Sequence, residues 1–403
     1  MYILVLNSGS SSVKYQLVSI TDESIVTRGC VEKIGSKEAI HTYSAGEQGK
    51  LKEVHPIVNH EEALSVVFRA LTNPAHPVIH DLKQIAAVGH RVVHGGAKFT
   101  ETVLVTEEVI KDIRECIELG PLHNPHNLKG IDVCMRLLPG TPQLAVFDTA
   151  FHQTMPEHAY LYALPYVFYT RHRVRRYGFH GTSHRFITER ASVLLNKAQK
   201  NVNLVSCHLG NGSSICAIRG GKSIDTSMGF TPLEGLIMGT RSGDMDPAII
   251  QYIMHKENYT IQEVDSLLNK QSGLLGISGA TNDLRELFSL ADKKDQRAQL
   301  AIQMMVYRLK KYIASYMAVL NGEADAVIFT AGIGENNAWV REQAVEGLEF
   351  MGIKIDKKKN KALDGEGDVA ASDSRVRILV IPTNEELLIA KDAAAFVRKR
   401  RGS

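Results

Sequence analysis

Apolar residues recur along this chain in two rhythms. Short continuous runs, bounded by Gly, Asn, Ser or Asp, predict strands over 2–6, 13–20, 85–93, 143–147, 202–208, 215–218, 326–330 and 377–381. Apolar residues three and four apart predict helices over 60–71, 109–119, 128–138, 184–195, 247–255, 261–268 and 297–320. Asn321-Gly322 is a stop signal for the last of these. Thr383-Asn384-Glu385-Glu386 predicts a capping box, with Thr383 at the cap and Glu386 at the third helical position. The stretch 155–169, rich in proline and aromatic residues, shows neither rhythm and predicts a crossing between domains. Strands mixed with helices in this way predict an α/β fold.

The pattern also repeats. VLNSGSSSVKYQL and SCHLGNGSSICAI share one plan: apolar strand, loop of Gly, Asn and Ser, apolar strand. Setting Gly9-Ser10-Ser11 on Gly212-Ser213-Ser214 gives an offset of 203 residues (212 − 9), about half of the 403-residue chain. A chain of this length exceeds one compact core. The expectation is two related domains, 1–150 completed by 383–403, and 151–382, with a cleft where the two loops face a polyanion.

Composition narrows the function classes. A net charge of +3 is too weak to argue for a nucleic-acid partner. Arg398-Lys399-Arg400-Arg401 reads as a solvated tail. Five widely spaced cysteines with no CxxC pair fit a reduced, cytoplasmic protein without disulfides. No apolar stretch reaches the ~18 residues that span a bilayer, and no signal peptide opens the chain, so no membrane partner is expected.

Several loops carry candidate chemistry. Gly-, Ser- and Asn-rich turns offer backbone N–H groups to phosphate oxygens, and Lys14 adds a mobile positive charge. Neither GxxxxGK[ST] nor a glycine fingerprint followed by a helix is present. AGIGENN follows a strand and precedes an expected helix, where glycine permits close approach of a flat ligand or an anion. Asp283 and Arg285, in SGATNDLRE, suit a ribose and a base, or an exposed ion pair. Arg91, Asp148, His180 and Arg241 all stand where strands end or in glycine-containing loops. Fixed cations in such places stabilise a transferring phosphoryl group, whose charge spreads over three oxygens.

Taken together, VLNSGSSSVK, GHRVVHGG, HLGNGSS, GTRSGDMDP, FTAGIGEN and IPTNEEL resemble the ordered motifs of the acetate kinase family, from Asn7 to Glu385. The resemblance implies two domains of the sugar kinase, heat-shock protein and actin type. It implies phosphorylation of acetate by ATP to acetyl phosphate, reversibly, with Mg²⁺ or Mn²⁺. Asn7 and Glu385 would hold the metal. Lys14, Ser10 and Ser12 would lie along the phosphates. Nucleotide contacts would come from His208, Leu209, Gly210, Asn211 and Gly212, from Asp283, Leu284 and Arg285, and from Ala331, Gly332, Ile333, Gly334 and Glu335. Arg91 would bind the substrate carboxylate. Asp148 matches the family's active-site acid, and His180 and Arg241 would stabilise the transferring group. Val93, Leu122, Phe179 and Pro232 would line a small methyl pocket, with His123 facing the site.

Acetate is ionised at neutral pH, having a pKa near that of a side-chain carboxyl, about 4. It leaves no proton to abstract, so Asp148 is expected to orient metal or reacting groups. A propionate kinase would share every motif and differ only in the pocket. An actin-like ATPase switch acting on a protein partner and a filament-forming relative are further readings. The family implies a homodimer, with the helix over 297–320 as candidate interface or core.

Overall fold

The computed structural model describes residues 1–44, 49–75 and 77–401. In chain order, an antiparallel run β1 (Tyr2–Ser8), β2 (Ser12–Ser19), β3 (Ser24–Glu32), β4 (Ser36–Ser44) and β5 (Lys50–Ile57) leads to α1 (His60–Leu71). Then come β6 (Ile85–Val92), β7 (Val103–Leu104), α2 (Glu107–Glu115), α3 (Asn124–Leu137) and β8 (Gln143–Phe147). Short helices α4 (Glu157–Tyr160) and α5 (Val167–His172) precede α6 (Gly181–Leu194). Next are β9 (Leu204–Leu209), β10 (Ser213–Arg219), β11 (Lys222–Thr226), α7 (Ala248–Glu257), α8 (Ile261–Lys270), α9 (Gly273–Ser278), α10 (Leu284–Asp292) and α11 (Gln296–Val319). The chain ends through β12 (Ala326–Thr330), α12 (Ala331–Asn336), α13 (Ala338–Val345), α14 (Lys357–Ala362), β13 (Gly367–Asp368), β14 (Arg377–Val380) and α15 (Glu385–Arg401).

The chain divides into two compact units, Met1–Ala150 with Asn384–Ser403, and Phe151–Thr383. In the first, the sheet order is β5-β4-β3-β2-β1-β6-β8-β7. Its central strand β1 is buried on both faces, which explains its unbroken apolar run. Leu4 and Leu6 pack with Leu64 and Val67 of α1 and Val133 of α3. Ile3 and Val5 pack on Ile389, Ala390 and Ala393 of α15. In the second unit, the order is β11-β10-β9-β12-β14-β13. Val205, Cys207, Val327 and Phe329 face the long α11, and Leu204, Ala326 and Ile328 face Ile187 and Ala191 of α6.

Both sheets contain the same five-strand unit. The pairings β3–β2 and β2–β1 are antiparallel, and β1–β6 and β6–β8 are parallel. The pairings β11–β10 and β10–β9 are likewise antiparallel, and β9–β12 and β12–β14 are parallel. The repeat is real, but the offset of 203 is not. Ser8 faces Val13, and Leu209 faces Ser213. The strands therefore correspond at 201 residues (209 − 8) and then 200 (213 − 13). Matching glycine to glycine slid the halves, because Gly9 opens the first turn and Gly212 closes the second, which is one residue shorter.

Other expectations change in detail. The serine-rich loop shrinks to a tight turn, since Asn7, Ser8 and Ser12 belong to the strands and Gly9 N–H donates to Ser12 O at 2.8 Å. The stretch 155–169 is not elementless, because α4 and the start of α5 lie in it. The helix cap before α15 is Asn384, whose Oδ1 accepts from Leu387 N at 3.0 Å, while Thr383 bonds Ser183. The basic run 398–401 is the last turn of α15, with exposed side chains at 398–400, and Gly402 and Ser403 lie outside the described residues. AGIGEN is not a loop before a helix but is itself α12. Strands β3, β4, β5 and β11 have no counterpart in the expected set.

Among the described residues seven histidines are buried, and four of them, two in each unit, are held far below their ordinary pKa. Burial pushes His90 down to about 4, against a bond to Gln143 Oε1 that favours its charge. Burial likewise takes His94 to about 3 and His152 to about 4, and holds His184 well below its ordinary value. Unfolded, each titrates near 6.5. Between about pH 4 and 6.5 these histidines bind more protons in the unfolded chain, so together they make stability rise with pH across that window. Glu385, whose buried carboxyl is raised to about 7, adds a smaller opposing slope. The slope is up to about 1.4 kcal/mol per pH unit for each histidine. Urea unfolding followed through this range should show the rise, and a flat profile would contradict it.

Candidate functional site

The first unit gathers its polar groups at the ends of parallel strands. Asn7, at the end of β1, faces Lys14 across the turn. The turn itself has a lopsided set of free groups. The carbonyl oxygens of Ser8, Gly9, Ser11 and Ser12 all accept hydrogen bonds, from Asn127 Nδ2, His60 Nε2, Ile34 N and Gly9 N respectively. The N–H groups of Ser10 and Ser11 donate to nothing among the described residues. Such a turn presents donors and hides acceptors, which is what an anion requires.

Arg91 stands one residue before the end of β6, and Asp148 directly follows β8, held by its N–H to Val92 O at 3.0 Å. The two form a forked pair: Arg91 Nε lies 2.9 and 3.1 Å from the Asp148 oxygens, and Nη2 lies 2.6 Å from Oδ2. Burial works against the guanidinium charge, but the carboxylates of Asp148, Glu385 and Glu386 more than offset it and hold Arg91 above its ordinary value. Glu385 opens α15. Burial pushes its carboxyl up to about 7, Arg91 pulls it back, and the Asp148 and Glu386 charges add to the rise. Val93 N donates to Asn127 Oδ1, Leu122 is exposed, and His123 precedes α3. A groove of about 640 Å³ beside this edge is lined by Asn7, Lys14, Gln16, Arg28, Glu32 and Glu386 among others.

In the second unit, His180 sits at φ 57° just before α6 and stacks on His208, ring centroids 4.1 Å apart. His180 Nδ1 bonds Ser214 Oγ at 3.0 Å, and that hydroxyl also meets His184 Nε2 at 2.8 Å. The ring's other nitrogen, Nε2, and Arg241 Nη1 both approach Gly212, each within 3.4 Å of where a Cβ would stand. Arg241 touches Pro232 O but no carboxylate among the described residues, and burial lowers its pKa. A half-buried cation with no counter-ion, beside an imidazole and a glycine, is a place for an anion. Phe179 is buried, and its carbonyl accepts from His152.

A second cavity of this unit, about 570 Å³, has the size of a nucleoside pocket. It brings together Gly210, Asn211, Asp283, Leu284, Arg285, Gly332 and Ile333 from the expected set. It does not include the others. Leu209 is in the core, and His208 is turned to Ser183 Oγ at 2.8 Å. Gly212 lies with His180, and Ala331 and Gly334 are buried. Glu335 Oε1 accepts from Thr383 N at 3.0 Å. Asp283 caps α10 and pairs with Arg285, whose side chain and N–H hold its carboxyl at about 2, so ion pair and cavity wall coexist. Sequence reasoning missed Gly239, Leu274, Asn282, Asn336 and Asn337. Gly239 had a signal, two residues before Arg241. Its N–H reaches Asn211 O at 3.0 Å, and a Cβ there would overlap Asn211 Oδ1.

For a metal, no three His, Cys, Asp or Glu side chains among the described residues are grouped to hold one. Asn7, Asp148 and Glu385 are hard oxygen donors of the type Mg²⁺ accepts, and that ion keeps several waters rather than demanding a full protein cage. The Asn7 amide has no protein partner among the described residues, and the Glu385 carboxyl is pushed up by burial, so both fit a cation.

A model of the acetokinase family matches residues 2–391. This chain belongs to the acetokinase family. It is 54% identical over 399 residues to an acetate kinase of Desulfitobacterium hafniense, covering 99% of this chain and 100% of that one. The acetate kinase of Methanosarcina thermophila is 53% identical, over 98% and 97%. Among solved structures, the Porphyromonas gingivalis acetate kinase superposes with a TM-score of 0.95 at 44% identity, over 98% and 99% of the two chains. A Francisella tularensis propionate kinase gives 0.91 at 43%, over 98% and 99%. The two-domain actin-like ATPase fold expected for this acetokinase is therefore the observed one.

The forked Arg91–Asp148 pair should be energetically coupled. Asp148→Ala is expected to cost about 3 kcal/mol, because it strips a half-buried cation of its partner. The double variant with Arg91→Ala should lose less than the sum of the singles, by roughly 1–3 kcal/mol in a denaturant cycle. Additive losses would show that the pair carries no weight.

Proposed function

We propose that this acetokinase transfers a phosphoryl group between ATP and acetate, giving ADP and acetyl phosphate, reversibly. The observation that carries the reading is the full-length identity, 54%, to enzymes named acetate kinase. A carboxylate oxygen of acetate attacks the terminal phosphorus as the bond to the ADP oxygen breaks. No proton moves in this exchange, since acetate is already ionised.

The geometry of each unit supports the following assignment of roles. Asp148 takes two of the three guanidinium nitrogens of Arg91, which leaves Nη1 for the acetate carboxylate. Asp148 then acts as an orienting group rather than a base. Lys14, Ser10 and Ser12 accompany the phosphates, with the free N–H groups of the turn. Asn7 and Glu385 would hold Mg²⁺, joined by Asp148, and the bound ion supplies charge neutralisation on the phosphate oxygens. On the second unit, Arg241 Nη1 and His180 Nε2 face the equatorial oxygens of the transferring group. The cavity of Asn211, Asp283, Arg285 and Ile333 takes the nucleoside. For the methyl group we assign Val93, Leu122 and His123 on the first unit, and Phe179 and Pro232 on the second.

The propionate kinase neighbour at 43% identity favours a second reading, in which longer carboxylates are also used. One added methylene changes transition-state binding by only about 1–3 kcal/mol. We also propose a cytoplasmic homodimer. All five cysteines are free, and no helix among the described residues is long and apolar enough to cross a membrane. Leu300, Met304 and Tyr307 form an exposed apolar stripe on α11, whose opposite face is core. Sedimentation should give twice the 44.5 kDa chain mass, and Tyr307→Glu should shift it towards one. A monomeric parent protein would dispose of this assembly.

Trapping acetyl phosphate with hydroxylamine tests the main reading. ATP, Mg²⁺ and acetate should yield product, propionate roughly 10- to 100-fold less in kcat/KM, and butyrate less still. No product from acetate would remove the kinase reading, and a preference for butyrate would remove the small pocket. Asp148→Asn should lower kcat while the basic side of the pH–rate profile keeps its shape. Loss of a basic limb with intact metal affinity would make Asp148 a base.

A further inference from the structure

Two buried contacts behind the turn have no place in the roles above. Asn127 lies on α3, 3% exposed, and its side chain joins two strand ends. Its Nδ2 donates to Ser8 O at 2.8 Å, and its Oδ1 accepts from Val93 N at 3.1 Å. His60, at the start of α1, donates from Nε2 to Gly9 O at 2.7 Å and stacks on His126 with centroids 5.7 Å apart. Helix α3 comes close enough for this only because Gly130 lacks a side chain, since a Cβ there would overlap Ser8 Oγ. One helix turn earlier, Asn124 exchanges two bonds with the backbone of His94, so α3 holds the segment after β6 at consecutive residues.

We infer that Asn127 and His60 are positioning residues that draw the carbonyl oxygens of Ser8 and Gly9 into the fold and leave the turn a surface of donors. This inference rests on the kinase reading and adds to it. A carbonyl oxygen left facing an approaching phosphate would repel it, and water that satisfied the carbonyl would be trapped beside the reacting group. The two contacts remove both problems before substrate arrives. Asn127 does more than His60, because the same amide also sets the backbone of Val93, two residues from Arg91. A shift of the turn relative to Arg91 would then misplace phosphate and acetate together. Misplacement by about 1 Å costs on the order of 100-fold in rate.

The variants separate positioning from mere folding. Asn127→Asp keeps an acceptor for Val93 N, removes the donor to Ser8 O and adds a negative charge there. Asn127→Leu, which removes the donor without adding charge, is therefore measured beside it and should show a loss of similar size. His60→Phe keeps a ring against His126 and removes only the donor to Gly9 O. His60→Gln restores an N–H on a side chain of similar reach. With acetyl phosphate formation as readout, Asn127→Asp should lower kcat by about 10- to 100-fold. The KM for ATP should change less than about threefold, because the nucleoside cavity belongs to the other unit. His60→Phe should lower kcat by about 3- to 10-fold, and His60→Gln should recover most of it at an equal melting temperature. Wild-type kcat in Asn127→Asp or His60→Phe overturns the inference. So does equal loss in His60→Phe and His60→Gln, including failure of both to fold. An inactive parent protein overturns the kinase reading instead, which keeps the two failures distinct.

Discussion

Parallel pairing is the constraint on which the rest depends. Once β1, β6 and β8 run side by side in one direction, Leu6 beside His90 and Val92 beside Phe147, their last residues must lie along one edge of the sheet. Asn7, Arg91 and Asp148 occupy that edge without any of them selecting it. The same pairing of β9, β12 and β14 brings His208, Ala331 and the Thr383 segment to one edge of the second sheet. Ligand sites of α/β sheets form outside such carboxyl ends, where helices and turns leave backbone groups unpaired. The antiparallel hairpin preceding each parallel set adds a tight turn at the same edge.

The two units handle charge in opposite ways. The first surrounds its arginine with carboxylates, and the balance lifts Arg91 while leaving Glu385 near neutrality. That arrangement tolerates an added cation and a guest carboxylate. The second leaves Arg241 half-buried without a carboxylate among the described residues, beside His180 and Gly212. An isolated cation in such surroundings is costly, and an anion relieves the cost. Behind His180, the hydroxyl of Ser214 links it to the buried His184. The imidazole is therefore held by bonds on its inner nitrogen, with the outer one turned to Gly212.

Particular elements show how much was legible. The bounds of α1, β8 and β12 are those read from apolar periodicity, because β8 and β12 are buried and unbroken and α1 buries one regular face. Strands β3 to β5 were invisible for the opposite reason. They lie towards the outer edge of their sheet, and β5 carries Lys50, Lys52 and Glu53 with few buried positions. Only pairing with neighbours makes them strands. The cap of α15 was read one residue early. Thr383 and Asn384 are both good caps by type, and the choice fell to Asn384 because Thr383 is engaged by Ser183. Of the ten HLGNG and AGIGE residues, Gly210, Asn211, Gly332 and Ile333 line the 570 Å³ cavity and the others turn elsewhere, since a strand and a helix each show one face to a cavity.

The sequence alone determined the α/β class, the duplicated strand–turn–strand plan and the set of motifs that mark an acetokinase. These depend on local periodicity and on residue identity, which survive in one dimension. Tertiary structure decided that Asp148 holds Arg91, 57 residues away, and that Asn127 holds Ser8, 119 residues away. It also decided which glycines line a cavity and which are packed inside. Such contacts depend on distances between strand ends, and these distances exist only after the strands have paired.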